Sequence, residues 1–210
     1  MKSIAIFGGT FDPIHKGHVR SAEELKQLLA IDEVRLLPCH IPPHRQLPNC
    51  HHLDRLAMLK LAVMGTDLLV DDRELKQDRI SYSVDTLEQC REEFGGEVAL
   101  SWVMGTDAFA KLDSWHRWQD FLSLANIIVI QRPDCRLPTA GPIATLLEQH
   151  RLNNCQQLTK MTHGGIGLIE LTPHPIAATV IRQKVKEGKE VSGYLLPSVL
   201  DYIKNNHLYH

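Results

Sequence analysis

Short apolar, β-branched runs alternate with stretches of helical spacing along the whole chain, and no other feature of the sequence restricts the fold as strongly. Ser3 to Phe7 reads as a strand ended by Gly8-Gly9, after which Val19, Ala22, Leu25, Leu28 and Leu29 recur as one helical face. Val34 to Leu37 is the next strand, stopped by Pro38, and a proline-rich loop through Pro48 leads to a helix over Leu53 to Met64. Leu68 to Val70, Val98 to Met104, Asn126 to Ile130 and Gly167 to Leu171 read as further strands. Helices are expected from an N-cap at Ser83 to Phe94, and over Trp115 to Leu124, Ile143 to Arg151, Ala178 to Lys186 and Pro197 to Asn205. This alternation implies an α/β fold: a Rossmann-like, doubly wound parallel sheet with right-handed crossovers, in one domain over residues 1–210.

Doubly wound sheets bind ligands beyond the carboxyl ends of their strands, where the strand order reverses. The unusual residues fall at those ends. Gly8 to His18 follows the first strand, Pro38 to Arg45 the second, Gly105 to Asp107 a central one and Arg132 the next. Scattered polar residues would not share one rim, so a single composite site is expected there.

Composition excludes several alternatives. A chain of 210 residues, 43% hydrophobic and 23% charged, is long enough to bury a sizeable core without disulfides or metal. A net charge of −2 lacks the basic footprint of a nucleic-acid-binding domain, so any phosphate site must be local. No stretch reaches the roughly 18 apolar residues of a membrane helix, and the apolar start runs into glycines with no cleavage-like pattern. Five scattered cysteines with no Cys-x-x-Cys pair suit a reducing cytoplasm, where we expect the protein to reside. Among twelve histidines, Cys50-His51-His52 is the one tight group of soft ligands, and without a second pair at zinc-finger spacing it reads as a polar loop.

The loop Gly8-Gly9-Thr10-Phe11-Asp12-Pro13-Ile14-His15-Lys16-Gly17-His18 carries the chemistry. It has neither the Gly-Lys-Ser/Thr ending of a Walker loop nor the Gly-x-Gly-x-x-Gly fingerprint. Paired glycines let backbone approach an anion, and the following helix, expected to start near His18, turns its positive end toward the same place. His15 and His18 are three apart, so a helical turn would put both imidazoles on one face, where their ring N–H groups could grip a polyphosphate. A strand-to-helix turn with two solvated histidines is the alternative.

Gly-Thr-Phe-Asp-Pro-x-His-x-Gly-His resembles the signature of the HxGH nucleotidyltransferases related to class I aminoacyl-tRNA synthetases. Further segments fall in the order seen in the bacterial nicotinate-nucleotide adenylyltransferase family: Pro38-Cys39-His40-Ile41-Pro42-Pro43-His44-Arg45, Ser81 to Leu87, Gly105-Thr106-Asp107, Trp115, Arg132-Pro133 and Ala178 to Arg182. The likeness spans nearly the whole chain and is weakest over Asp134 to Gly165. It implies ATP and nicotinate mononucleotide as substrates, deamido-NAD and pyrophosphate as products, and Mg²⁺ carried with ATP. The chain departs from the family pattern at Cys39-His40 (Asn-Asn or Ala-Asn), Ser83 (Thr), Ala177 (Ser) and His116 (an aromatic or Leu).

In adenylyl transfer a substrate phosphate attacks the α-phosphorus of ATP in line, so the enzyme supplies position and charge rather than a nucleophile. The ATP side is then expected to comprise Gly8, Gly9, Thr10, Phe11, His15, Gly17, His18, Gly105, Asp107, Arg132, Thr179 and Arg182. His18 is assigned to the α-phosphate and His15 to the β- or γ-phosphate or to the acceptor phosphate, while Arg182, three residues after Thr179 on one helix face, suits the leaving pyrophosphate. Asp107 is read as an acceptor for ribose hydroxyls, with a helix N-cap as the competing reading. Lys16 lies inside the loop, near enough to neutralise phosphate.

The acceptor side is expected to comprise His40, His44, Arg45, Ser83, Thr86 and Trp115. His44 and Arg45 would hold the acceptor phosphate, and Trp115 either stacks on the pyridine ring or belongs to the core. No carboxylate cage for a metal is visible, so Mg²⁺ is expected to arrive on ATP phosphates with waters retained. Two other readings stay open: a sister transferase acting on phosphopantetheine or glycerol phosphate, and a nucleotide-binding sensor that has lost catalysis. The sequence leaves a homo-oligomer open.

Overall fold

The computed structural model describes all residues except 43–46, 78 and 132–134. Six strands form one sheet: β1 (Ser3–Gly9), β2 (Glu33–Pro38), β3 (Leu68–Val70), β4 (Ala99–Gly105), β5 (Asn126–Ile130) and β6 (Ile166–Ile169). Their order is β3-β2-β1-β4-β5-β6, and every pairing is parallel. The longer helices are α1 (Lys16–Leu29), α2 (His52–Val63), α3 (Ser83–Phe94), α6 (Pro142–His150), α7 (Ala178–Lys186) and α8 (Pro197–Asn205); α4 (Thr106–Phe109) and α5 (Phe121–Leu124) are single turns.

Side chains alternate across a strand, and the two faces of the sheet therefore build two cores. Ala5, Val103 and Ile128 face one, where Leu25, Met58, Ile181 and Val199 of α1, α2, α7 and α8 cover them. Ile4, Ile6, Trp102 and Val129 face the other, against Leu87, Phe109, Phe121 and Ile143. The strand order reverses between β1 and β4, which lie side by side in register Phe7 to Val103. Beyond their carboxyl ends there is consequently a crevice, walled by the segments that leave β1 and β4.

Three local expectations are corrected. α1 begins at Lys16 with His15 as its N-cap, earlier than the apolar periodicity suggests, because Lys16 and Gly17 bring no apolar side chain that would mark the first turn. Ser83 is the first residue of α3, and Tyr82 occupies the cap. The helix expected over Trp115 to Leu124 is broken: Arg117 is left-handed at φ 50, a 3₁₀ turn spans Trp118–Asp120, and only α5 is helical. Trp115, Trp118 and Leu122 imitate a helical stripe, but the Arg117 guanidinium reaches Glu88 and Asp120 at 2.7 and 2.8 Å and holds the turn.

Candidate active site

The segment between β1 and α1 turns sharply because two glycines permit close approach. A Cβ on Gly9 would lie 2.8 Å from the ring of Phe11, and one on Gly17 would lie 3.1 Å from Nδ1 of His15. Phe11 is buried, with a left-handed φ of 48, and its ring meets the His18 ring edge-on at 5.1 Å. On the other side of His18, the imidazole of His15 stacks at 3.6 Å with an interplanar angle of 19°. The two histidines are thus brought together as their spacing implied, although His15 stands at the N-cap and only His18 is within the helix.

Their environments differ. His15 is buried and its Nδ1 has no hydrogen-bond partner among the described residues, a state that costs free energy until an acceptor arrives. Burial holds its pKa down to about 4, so the ring is neutral at neutral pH. His18 is half-buried and lies above it. A neutral, immobilised ring below a more accessible one forms a preorganised donor pair of the kind that stabilises charge on a phosphate.

Asp12 ties this segment to distant parts of the chain. Its buried carboxylate accepts from the backbone N–H and side-chain amide of Asn49 at 2.7 and 3.1 Å, and from the Tyr209 hydroxyl at 2.8 Å. The Arg182 guanidinium donates to the Asp12 carbonyl at 2.6 Å, and from the same side chain Nη2 lies 3.4 Å from the Thr179 hydroxyl. Thr179 and Arg182 of α7 are therefore held at the histidine loop. At the start of α7 Ala177 offers no side-chain cap, so its first-turn N–H groups gain no oxygen from that residue. Arg55 of α2 is fully buried and donates to the Thr10 carbonyl at 2.7 Å. Lys16 is turned elsewhere: its ammonium donates to the Ser192 carbonyl at 2.8 Å.

Across the crevice, Gly105 ends β4 and caps α4, which leaves Asp107 half-buried in the first turn rather than at the cap. The buried Thr106 hydroxyl reaches the Ile130 carbonyl at 3.2 Å and joins the ends of β4 and β5.

The segments that carry the described acceptor residues His40, Ser83 and Trp115 meet on a second wall. The backbone N–H of His40 donates to the Ser81 hydroxyl at 3.1 Å, and Ser81 donates its own N–H to the Ile41 carbonyl at 3.0 Å, which fastens the segment after β2 to the start of α3. The His40 ring meets His52 edge-on at 4.8 Å, and His52 in turn lies 4.1 Å from His51. Tyr82 and His116 face each other at 4.4 Å beside the half-buried Trp115, whose ring packs on Phe121 at 5.8 Å. The Thr86 hydroxyl, expected to face the acceptor, instead donates to the buried carboxyl of Glu74 at 2.7 Å, because burial there demands a partner for that carboxyl. Burial also raises the Glu74 pKa. His44, Arg45 and Arg132 lie outside the described residues.

Sequence reasoning missed Asn49, Glu74, Tyr82 and Tyr209. It also passed over Arg55, although a charge on the apolar stripe with Met58, Leu59 and Ala62 was a visible signal.

The fold and the histidine loop define a nucleotidyltransferase-type site, and the chain belongs to the cytidylyltransferase-like family, whose model matches residues 6–192. Within that family its similarities are narrower. It is 45% identical over 210 residues to a Cellvibrio japonicus protein named "Probable nicotinate-nucleotide adenylyltransferase", covering 99% of this chain and 98% of that one. A Pseudomonas aeruginosa protein of the same name is 43% identical over 209 residues, covering 99% and 97%. Among solved structures, Plasmodium falciparum nicotinic acid mononucleotide adenylyltransferase complexed with NaAD shares the fold at a TM-score of 0.75 and 18% identity, covering 100% of this chain and 98% of that one. The same enzyme complexed with APC matches at 0.73, with the same identity and coverage.

Proposed function

We propose that this protein transfers the adenylyl group of ATP to nicotinate mononucleotide, giving deamido-NAD and pyrophosphate. The observation that carries the reading is the stacked His15–His18 pair at the reversal of strand order, with Thr179 and Arg182 held on the same loop through Asp12. The names of the full-length relatives support the acceptor.

In this reading an oxygen of the acceptor phosphate attacks the α-phosphorus, the bond from that phosphorus to the bridging oxygen breaks, and pyrophosphate leaves with the electron pair. No covalent enzyme intermediate is formed. His18 donates to the α-phosphate, whose charge grows in the transition state, while neutral His15 supports it from below and donates to a neighbouring phosphate. Arg182 and Thr179 receive the departing pyrophosphate, for which a planar guanidinium fork is suited. Gly8, Gly9, Thr10, Phe11 and Gly17 shape the cradle, and Asp107 accepts from ribose hydroxyls.

No three His, Cys, Asp or Glu side chains among the described residues stand where they could hold a metal ion between them, and both Asp12 oxygens already have donors. We propose that the ion enters on the nucleotide. Mg²⁺ bound to the ATP phosphates would supply charge neutralisation. The acceptor is assigned to the wall formed by His40, Ser83, Tyr82, His116 and Trp115; the roles proposed for His44 and Arg45 on its phosphate concern residues outside the described ones. No helix of the described residues is long and apolar enough to cross a membrane, and a cytoplasmic place of work accords with the two nucleotide substrates.

The test is pyrophosphate release from ATP with nicotinate mononucleotide, nicotinamide mononucleotide, phosphopantetheine and glycerol phosphate as acceptors. Turnover led by nicotinate mononucleotide is expected. Turnover led by phosphopantetheine or glycerol phosphate would overturn the acceptor assignment, and release with none of the four would overturn the reaction.

A further inference from the structure

The C-terminal segment returns to the histidine loop by an unusual path. After α8, the N–H groups of Asn206, His207 and Leu208 bond back to the carbonyls of Tyr202, Lys204 and Ile203. His207 and Tyr209 then adopt left-handed backbone, at φ 50 and 65, which a β-carbon disfavours unless the surroundings hold it. The result turns the Tyr209 side chain inward, where its hydroxyl donates to Oδ1 of Asp12 at 2.8 Å across 197 positions of sequence. Burial and the adjacent Asp12 carboxylate both raise the pKa of this phenol, so it remains a donor throughout the working pH range. The thiol of Cys50 lies beside it and is itself pushed up to about 11 by burial, which leaves it a neutral neighbour.

Asp12 is three residues before His15 and presents its carbonyl to Arg182 at 2.6 Å. Its Oδ2 has two donors from Asn49, whereas Tyr209 is the donor recorded at Oδ1. Removing that hydroxyl strands a buried carboxylate oxygen, which must turn to find another donor, and the backbone that orients Arg182 and leads into His15 turns with it. We infer that Tyr209 is a positioning residue for the adenylyl-transfer site, holding Asp12 so that Arg182 and the His15–His18 pair keep their productive geometry. This rests on the proposed reaction for its kinetic consequence but not for its structural one.

An internal control exists in α8, just before this segment. Tyr202 donates to Asp54 of α2 at 2.9 Å, a similar phenol–carboxylate bond that leads to no residue assigned to the chemistry. For Tyr209→Phe the expected result is a kcat lowered about tenfold, the scale of one hydrogen bond to a charged group, with KM for ATP changed less than twofold. The His15 and His18 ring resonances, sensitive to their stacking, should shift in the nuclear magnetic resonance spectrum. Tyr202→Phe should lower the melting temperature without moving kcat or those resonances. Because Tyr209 is proposed to act through Asp12 on Arg182 as well as on the histidine pair, adding Tyr209→Phe to Arg182→Ala should cost less than the roughly tenfold it costs alone, whereas a merely structural role would multiply the two effects in full. Should the hydroxyl loss unfold the chain, Tyr209→Gly supplied with 4-methylphenol should regain activity that toluene does not restore. Unmoved ring resonances with unchanged kcat, full multiplicativity with Arg182→Ala, or equal rescue by toluene would overturn the inference. Wild-type protein inactive with every acceptor would overturn the proposed reaction instead, and the ring resonances would still decide the role of Tyr209.

Discussion

The two walls of the crevice are built in opposite ways. On the nucleotide side, the cradle from Gly8 to His18 is contiguous, its rings, glycines and helix start needing only one strand-to-helix turn to meet, and Thr179 and Arg182 of α7 are brought to it through Asp12. On the acceptor side, His40, Ser81 to Thr86, and Trp115 with His116 come from three separate connections, joined by a few bonds such as His40 to Ser81. The departures from the family pattern also divide unevenly: Cys39, His40, Ser83 and His116 fall on the acceptor wall, and Ala177 alone falls on the nucleotide wall. A contiguous cradle preserves geometry for chemistry, whereas a wall assembled from loops changes its contacts one residue at a time. The difference suggests that rate resides on the first wall and choice of acceptor on the second.

The largest expected effect breaks the first wall. His18→Ala should fold normally and lose roughly 10²- to 10³-fold in kcat, the scale for removing one preorganised donor to developing charge, while ATP affinity changes less. Steady-state kinetics on the folded variant checks this, and near-full kcat would remove His18 from the chemistry. Arg182→Ala should lose roughly 10- to 150-fold, corresponding to about 1.5–3 kcal/mol for a hydrogen bond to a charged group. Lys should restore little, since a point charge cannot hold both the Asp12 carbonyl and a phosphate as the guanidinium fork can. Full recovery in Arg182→Lys would refute the fork.

The second wall is tested by a single substituent. Nicotinate mononucleotide should be preferred over the nicotinamide form by roughly 5- to 150-fold in kcat/KM, from about 1–3 kcal/mol for leaving a buried donor facing an NH₂. With the Thr86 hydroxyl committed to Glu74, the donors left for a carboxylate are the first-turn N–H groups of α3 and the Ser83 hydroxyl, aided by the helix dipole. Competing kinetics at saturating ATP and neutral pH measures the ratio, and equal values would refute this account of the wall. The smallest effect concerns His15. Its titration, followed by nuclear magnetic resonance, should have a midpoint near 4 rather than the ordinary 6.5. A histidine with a lowered folded pKa contributes stability that is full above about 6.5 and lost as pH falls toward 4. Bound ATP should move the midpoint up, and a midpoint near 6.5 in the free protein would show that burial does not govern this ring.

The same contrast explains what could be read from the sequence. Apolar periodicity located every strand and most helices, because each buries one side of its pattern against the sheet. It failed over Trp115 to Leu124, where aromatic spacing resembled a helix but Arg117 takes a left-handed backbone, with its guanidinium on Glu88 and Asp120. The histidine cradle was legible since its residues are neighbours in the chain. Tyr209 on Asp12 and Glu74 on Thr86 were not, because a hydrogen bond across 197 or 12 positions leaves no local spacing to detect. Arg55 stands between these cases: its place on an apolar stripe announced burial, yet its partner, the Thr10 carbonyl, emerged only from the packing of α2 beneath the loop.

The division of labour between the walls can be measured directly by determining kcat/KM for nicotinate and nicotinamide mononucleotide in both the wild type and His18→Ala. If the nucleotide wall sets rate and the acceptor wall sets choice, both values fall together by roughly 10²- to 10³-fold and their ratio stays within about twofold of the wild-type ratio, inside the tolerance of independent sites. A ratio that collapses toward one in His18→Ala would show that the histidine pair itself selects the acceptor, and would contradict the account.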